Sequence, residues 1–227
     1  MSDQLRDLAS VRAATDRLLD AVARLDEAAL AEPSLLPGWT RGHVLAHLAR
    51  NADALVNVLV GRPMYASEQA RDADIARDAP RPLAVHLADL RDSAARFQEA
   101  AGSADGSRTV LLRNGVTDTA SRVPFRRLVE VELHHVDLGA GYPLEDLPDD
   151  FTAQAIDYLT ARFDGHPEVP PVTLTDHRDL TRRTGGTSGA PVTVRGTAAD
   201  LLGWLSGRRE GRTLQVTGGA LPTLPAL

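Results

Sequence analysis

Four of the seven histidines stand in two groups whose spacing suits a helix, and each group is a candidate source of metal ligands. His43 and His47 are four residues apart and therefore share a helix face. The second group holds two acid–histidine pairs, three or four residues apart: Glu130 with His134, and Glu132 with His135. Three imidazole or carboxylate ligands suit Zn²⁺ and leave a fourth position open for water or a substrate. The spacing predicts a metal site, with solvated ion pairs along the helices as the alternative.

Helical periodicity separates the two residues of the first group. The main apolar stripe of that segment consists of Leu45, Leu48, Ala52, Leu55 and Leu59. His47 lies on a second stripe of mostly small and apolar side chains, with Val44, Asn51, Ala54 and Val58. His43 shares its side of the helix with Arg50. We therefore expect His47, rather than His43, to face the interior as a ligand.

Periodicity leaves the second group undecided. The most apolar stripe of its helix contains Glu132 and buries it in preference to Glu130; the other members are Phe125, Leu128, Val129 and Val136. Glu132 with His135 is therefore a rival to Glu130 with His134. The residues alone do not choose between the two pairs.

The absence of cysteine limits the chemistry that the chain can do by itself. Without thiols there are no disulfides, no thiolate metal ligands and no sulfur nucleophile. Any sulfur chemistry must therefore use a small-molecule thiol. The net charge of −6 and the lack of a basic block argue against nucleic-acid binding. No apolar run approaches a membrane span, and the N-terminus does not resemble a signal peptide, so we expect a cytoplasmic protein. We also predict that it is a monomer.

Four long helical segments would have to position the candidate ligands. Apolar periodicity places them at residues 5–30, 40–60, 83–101 and 124–138. Thr40 is the expected N-cap of the second segment, and Pro124 suits the first turn of the fourth. A short helix is expected at 67–76. Asn114-Gly115 predicts a hairpin turn between strands near 109–112 and 116–117.

Composition changes near residues 140–150, where glycine, proline and aspartate cluster, so we place a domain boundary there. The predicted N-terminal domain, residues 1–145, is a four-helix bundle. The predicted C-terminal domain, residues 146–227, has helices at 151–163 and after the N-cap Thr197, and strands at 171–175, 192–195 and 214–216. The predicted fold class is α+β, a helical bundle followed by a smaller α/β domain.

Three segments of the first domain resemble the mycothiol-dependent maleylpyruvate isomerases, a family of the DinB-like superfamily. They are residues 36–55 (LPGWTRGHVLAHLARNADAL), 64–71 (MYASEQAR, with Ile75-Ala76 following) and 130–139 (EVELHHVDLG). A weaker resemblance continues to Gly207-Arg208. The resemblance implies a DinB-like four-helix bundle that holds a divalent metal, usually zinc, and a smaller C-terminal α/β domain.

The resemblance also implies which residues act. Carried onto this sequence, the family's metal ligands are His47, Glu130 and His134, and this choice over Glu132 and His135 rests on the resemblance alone. The family's functional arginine falls on Arg208. The alternative for Arg208 is a helix-end arginine that complements the helix dipole.

The implied cofactors are a divalent metal and mycothiol, and the implied reaction is a cis–trans isomerisation. A thiol at the open metal position would lose its proton, and the thiolate would add to the cis double bond of maleylpyruvate. Rotation and elimination would give fumarylpyruvate, a step of gentisate degradation. Arg208 is the candidate for binding the carboxylates of the substrate, because a guanidinium suits them. The alternatives are transfer of mycothiol to another electrophile, and a non-catalytic metal-binding regulator of the same fold.

Overall fold

The structure is a computed structural model, and it describes residues 3–225. The chain forms two compact units that divide between Gly141 and Tyr142, and each is described by itself. The N-terminal unit carries every residue of the two histidine groups. Within the described residues, no helix is both long enough and apolar enough to cross a membrane.

The described part of the N-terminal unit consists of five α-helices and a small hairpin. The helices are α1 (Asp3–Val22), α2 (Arg41–Leu59), α3 (Glu68–Asp78), α4 (Leu83–Ser103) and α5 (Val123–Asp137). Helices α1 and α2 each pack against both α4 and α5, so these four form a bundle, and α3 lies against α2. The strands β1 (Thr109–Leu111) and β2 (Thr117–Thr119) pair antiparallel. Their connecting turn has positive φ at Asn114 and Gly115, as the Asn-Gly sequence predicts.

Helix α2, which carries His43 and His47, is largely buried. Apolar or small residues occupy almost every inward position, so that Val44, Leu45 and Leu48 are completely buried. The helix begins after Thr40 as predicted, because the Thr40 side chain accepts a hydrogen bond from the backbone N–H of His43. Gly42 permits the close approach of the chain after α3, since a Cβ there would lie 2.2 Å from the carbonyl oxygen of Ala79.

Over its described residues, 142–225, the C-terminal unit contains two α-helices and a four-stranded sheet. The helices are α6 (Asp149–Phe163) and α7 (Ala198–Leu205), and the strands are β3 (Val172–Asp176), β4 (Thr181–Thr184), β5 (Val192–Gly196) and β6 (Gln215–Thr217). The sheet order is β4-β3-β5-β6, with β3 and β5 parallel and the two outer strands antiparallel to their neighbours. The α+β fold class, a helical bundle with a smaller mixed domain, is confirmed.

Two elements differ from the prediction. The first helix ends at Val22 rather than near residue 30. The backbone N–H groups of Arg24 and Leu25 then bond to carbonyl oxygens three residues back, and the Asp26 carboxylate accepts a hydrogen bond from the N–H of Ala29 in a separate turn of 3₁₀ helix. Strand β4 is absent from the predicted elements, since Arg182 and Arg183 interrupt any apolar alternation. It lies at an edge of the sheet, where charged side chains are common.

Candidate metal centre

His47, Glu130 and His134 come together between α2 and α5. His47 Nε2 lies 3.0 Å from Glu130 Oε2, and His134 Nε2 lies 3.4 Å from the same oxygen. The two imidazole rings meet edge to face, with their centroids 4.6 Å apart. One potential ligand atom from each of the three residues lies within 4.8 Å of the other two. In residues 3–225, no other set of three histidine or acidic side chains is grouped in this way.

The N-terminus of α2 places His47 in the group and holds His43 out of it. Thr40 and His43 form a capping box, in which the His43 ring accepts a hydrogen bond from the Thr40 N–H at 3.3 Å. Trp39 packs edge-on against His47, with ring centroids 5.5 Å apart. His43 therefore closes the helix end, one turn before the grouped histidine.

Helix α5 supplies the other two members of the group and a carboxylate behind one of them. Glu130 and His134 share a face because they are four residues apart. His134 Nδ1 lies 2.8 Å from Asp137 Oδ2, and Asp137 is only 1% exposed. An Nδ1–H that donates to this carboxylate leaves the lone pair of Nε2 directed at the group. Metal-binding histidines are commonly held by such a carboxylate.

The rival pair, Glu132 and His135, lies on another side of α5. Periodicity correctly predicts that Glu132 is buried, and it is 1% exposed. Its carboxylate accepts a hydrogen bond from Arg17 of α1, so its charge is matched by a guanidinium. Burial, together with the nearby Arg17 and Arg24, lowers the pKa of His135 to about 4. The structure thus groups Glu130 and His134 with His47, and pairs Glu132 with α1.

The grouped side chains alter one another's pKa values. Burial lowers the pKa of His47 to about 4, although the hydrogen bond to Glu130 opposes this effect. Burial by itself would raise the pKa of Glu130, but hydrogen bonds from His134 and His47 hold it well below its usual range. Burial would lower the pKa of His134, but hydrogen bonds to Asp137 and Glu130 raise it overall. Glu130 is therefore ionised and His47 neutral near pH 7, which are the forms that bind metal ions.

A buried arginine on α5, Arg127, lies on the same face as the group and was not identified from the sequence. It is 1% exposed and donates hydrogen bonds to the carbonyl oxygen of Leu48 at 2.9 Å and to Asn51 Oδ1 at 2.7 Å. Burial lowers its pKa to about 10, so it stays protonated at pH 7. The signal was its position, three residues before Glu130 and seven before His134, which is helical spacing.

A second arginine, Arg71 of α3, touches the group from the other side. Its Nη2 lies 3.3 Å from His47 Nδ1, and its Nη1 lies 2.7 Å from the carboxylate of the exposed Asp72. Its guanidinium carbon is 6.0 Å from the ring centroid of Tyr65. Tyr65 also lines a cavity of about 580 Å³ between the end of α2 and the β1–β2 hairpin. The sequence resemblance included Arg71 and Tyr65, but it assigned no role to either.

Arg208 belongs to the C-terminal unit and follows α7. Its Nη1 donates a hydrogen bond to the carbonyl oxygen of Ser206 at 3.0 Å, and its side chain is partly buried. The neighbouring Arg209 pairs with Asp200 and Glu145, at 2.7 and 2.5 Å. The role of Arg208 in binding substrate stays a prediction.

The grouped atoms fit a divalent metal such as Zn²⁺. Two imidazole nitrogens and one carboxylate oxygen are a usual ligand set for a zinc ion with one open position. Ligand atoms bound at about 2.1 Å in a tetrahedron are about 3.4 Å apart. The separations of 3.0 and 3.4 Å to Glu130 Oε2 are already close to that value. The third separation, between the two imidazole nitrogens, is at most 4.8 Å, and reducing it toward 3.4 Å would complete such a site.

Comparison with known proteins identifies the family. Residues 11–139 match the family model of the mycothiol maleylpyruvate isomerase N-terminal domain. Residues 146–226 match the model of the MDMPI C-terminal domain, where MDMPI abbreviates mycothiol-dependent maleylpyruvate isomerase. The chain therefore belongs to the mycothiol maleylpyruvate isomerase family. The family predicted from the sequence, and with it the assignment as an isomerase enzyme, is confirmed.

Two crystal structures of a mycothiol-dependent maleylpyruvate isomerase resemble the chain along almost its full length. One, of a variant with a histidine replaced by alanine, has a TM-score of 0.88, and the other has 0.86. Each is 27% identical in sequence, over 99% of this chain and 97% of the other. No curated protein matches the chain.

Proposed function

We propose that the protein converts maleylpyruvate to fumarylpyruvate with the help of a divalent metal and mycothiol. The observation that carries this proposal is the grouping of His47, Glu130 and His134 in a chain of this family. The absence of cysteine supports it too, because the sulfur nucleophile then has to come from a small molecule. The solved structures that resemble the chain are of an enzyme named for this activity.

In this proposal the three grouped side chains hold Zn²⁺ or another divalent metal. When bound, the metal lowers the pKa of a thiol at its open position, so that a thiolate forms at neutral pH. Glu130 contributes as a carboxylate and His47 as a neutral ring, in keeping with their lowered pKa values. The Asp137 carboxylate accepts a hydrogen bond from Nδ1–H of His134, which keeps the lone pair of His134 Nε2 directed at the metal centre.

The reaction needs an external thiol but consumes none. The thiolate forms a C–S bond to one carbon of the cis double bond, and the π electron pair moves onto the conjugated carbonyl as an enolate. The former double bond is now single and can rotate. Collapse of the enolate re-forms the double bond in the trans geometry and expels the thiolate. In this scheme Arg208 binds a carboxylate of the substrate during the rotation.

A defined mixture of purified protein, zinc chloride, mycothiol and maleylpyruvate tests the proposal. Proton NMR distinguishes the cis from the trans alkene by its coupling constant. Control mixtures omit the metal, omit the thiol, or replace mycothiol with N-acetylcysteine. We expect fumarylpyruvate at an enzymatic rate in the complete mixture alone. Its absence from a mixture in which the protein holds one equivalent of zinc would refute the proposed reaction.

Related assays separate this reaction from the alternatives. A transferase would accumulate a stable adduct between mycothiol and a model electrophile such as monobromobimane, without returning the thiol. The protein can also be dialysed against zinc and its metal content measured. If it retains far less than one equivalent, this would contradict both the isomerase and the transferase scheme and favour a regulatory role. The proposal also includes a cytoplasmic location and a monomeric state, and light scattering after size-exclusion chromatography measures the latter.

A further inference from the structure

We propose that Arg71 binds a carboxylate of the substrate beside the metal centre, a role that rests on the proposed function and adds a residue to it. Arg71 reaches the centre from α3, and its side chain is 16% exposed. Its Nη2 lies 3.3 Å from His47 Nδ1, and its guanidinium faces the Tyr65 ring at 6.0 Å. A cation is therefore already held next to one of the three grouped side chains.

The two histidines of the group differ in what lies behind them. His134 Nδ1 faces the carboxylate of Asp137, which accepts hydrogen bonds. His47 Nδ1 faces Arg71, whose guanidinium has five N–H donors and no acceptor. His47 Nδ1 must therefore accept, which places the single proton of its neutral ring on Nε2. There the proton points at Glu130 Oε2, 3.0 Å away.

This hydrogen bond cannot persist when His47 Nε2 is a metal ligand. A neutral ring whose Nε2 is coordinated carries its proton on Nδ1, so that an N–H would face the N–H groups of Arg71. Two donors in contact repel, and the guanidinium has to turn away from the ring. Its other neighbours are the Tyr65 side chain, which also forms a hydrogen bond with it, and Asp72, which is 68% exposed and therefore competes weakly. When His47 binds a metal, the N–H groups of Arg71 are therefore available to donate hydrogen bonds to another acceptor.

The charges around the centre favour an anion as that acceptor. The carboxylates of Glu130 and Asp137 and the guanidinium groups of Arg71 and Arg127 carry equal and opposite charge, and the exposed Asp72 beside Arg71 is screened by water, so a divalent cation would add positive charge that the buried side chains do not balance. Uncompensated charge in a protein interior is costly. A thiolate supplies one negative charge, and a carboxylate supplies the second. Arg127 is fully buried with its donors directed at α2, whereas Arg71 is partly exposed and can offer two parallel N–H groups.

Titration calorimetry with maleate, a cis dicarboxylate, tests the proposal on zinc-loaded protein without thiol or turnover. The variants are Arg71→Gln, Arg71→Lys and, as the matched control on the same helix, Arg77→Gln; Arg77 is 59% exposed and pairs with Asp74 and Asp78, away from the grouped side chains. We expect Arg71→Gln to weaken maleate binding by about tenfold or more. Arg71→Lys should weaken maleate binding to an intermediate extent, because lysine keeps the positive charge but lacks the two parallel N–H groups of the guanidinium. Arg77→Gln should leave maleate binding unchanged. Zinc affinity, measured by competition with an indicator, should not fall in any variant.

Three results would overturn the proposal. They are an unchanged maleate affinity in Arg71→Gln, a wild-type protein that binds no maleate, and a zinc affinity that falls with maleate affinity in Arg71→Gln. The last result would mean that Arg71 supports His47 instead of binding the anion. Failure of the proposed function is distinguishable, because a protein that binds maleate through Arg71 but makes no fumarylpyruvate keeps the anion site and lacks the reaction.

Discussion

Substituting glutamine for Glu130 or for Glu132 separates metal binding from bundle stability. The two carboxylates lie two residues apart on α5, and the substitution preserves side-chain size in both. Glu130 is grouped with two histidines, whereas Glu132 pairs with Arg17 of α1. We expect Glu130→Gln to lose metal and Glu132→Gln to retain it.

The size of each effect follows from the contacts. Loss of residues behind the ligands of metal sites weakens binding by about 10–100-fold, so loss of the ligand Glu130 should cost more than about 100-fold. Hydrogen bonds to charged groups contribute about 1.5–3 kcal/mol. Arg17 is 40% exposed, which places its bond to Glu132 at the low end, about 2 kcal/mol. For a protein of this size, that corresponds to a Tm lower by about 4–8 °C.

Two measurements on the same protein preparations test whether Glu130 binds the metal and Glu132 stabilises the bundle. Competition with a zinc indicator gives the metal affinity, and thermal unfolding of the metal-free protein by circular dichroism gives Tm. The expected pattern is weak zinc binding in Glu130→Gln, and a lower Tm with unchanged zinc binding in Glu132→Gln. The opposite pattern would refute the assignment of Glu130 as a ligand. It would also show that burial on α5 was the better guide to the metal site.

Three further predictions concern the same centre and its surroundings. Replacing Asp137 with Asn should weaken zinc binding by about 10–100-fold, because the negative charge behind His134 Nδ1 is lost; an unchanged affinity in the indicator assay would contradict this. Zinc affinity should fall as the pH drops through the raised pKa of His134, which lies above 6.5, while His47, with a pKa of about 4, remains neutral; an affinity that is flat between pH 8 and pH 5 would argue against His134 as a ligand. Arg208→Ala should raise KM for maleylpyruvate and leave zinc content unchanged, and wild-type kinetics would remove its assigned role.

The helices of the bundle could be predicted because local signals and burial agree in them. Thr40 marks the start of α2 by a capping bond, and Pro124 lies in the first turn of α5. The first helix was predicted too long because an apolar pattern continues past Val22, whereas the backbone N–H groups of Arg24 and Leu25 bond three residues back instead of four. Strand β4 has no apolar alternation of its own, so only its pairing with β3 defines it.

At the candidate metal centre, the apolar periodicity of a helix predicts which side chains are buried but not which residues they contact. Apolar phase correctly predicts that Glu132 is buried, but it does not say which helix faces that side of α5. Arg17, 115 residues away in the chain, decides that Glu132 forms an ion pair. The contact of Arg71 with His47 likewise joins α3 to α2 through a side chain whose direction no spacing rule specifies. Such partners are set by tertiary packing.

The grouped side chains come from helices that are distant in the chain, since 83 residues separate His47 from Glu130. A metal held there would close a long loop, and loop closure restricts the unfolded chain in the way that a disulfide does in cysteine-containing proteins. The side chain of Glu130 is 34% exposed, so an ion held there could leave without separation of α2 and α5. Such a metal would stabilise the folded bundle by an amount that increases with its free concentration, and its removal by a chelator would lower Tm without the protein first unfolding.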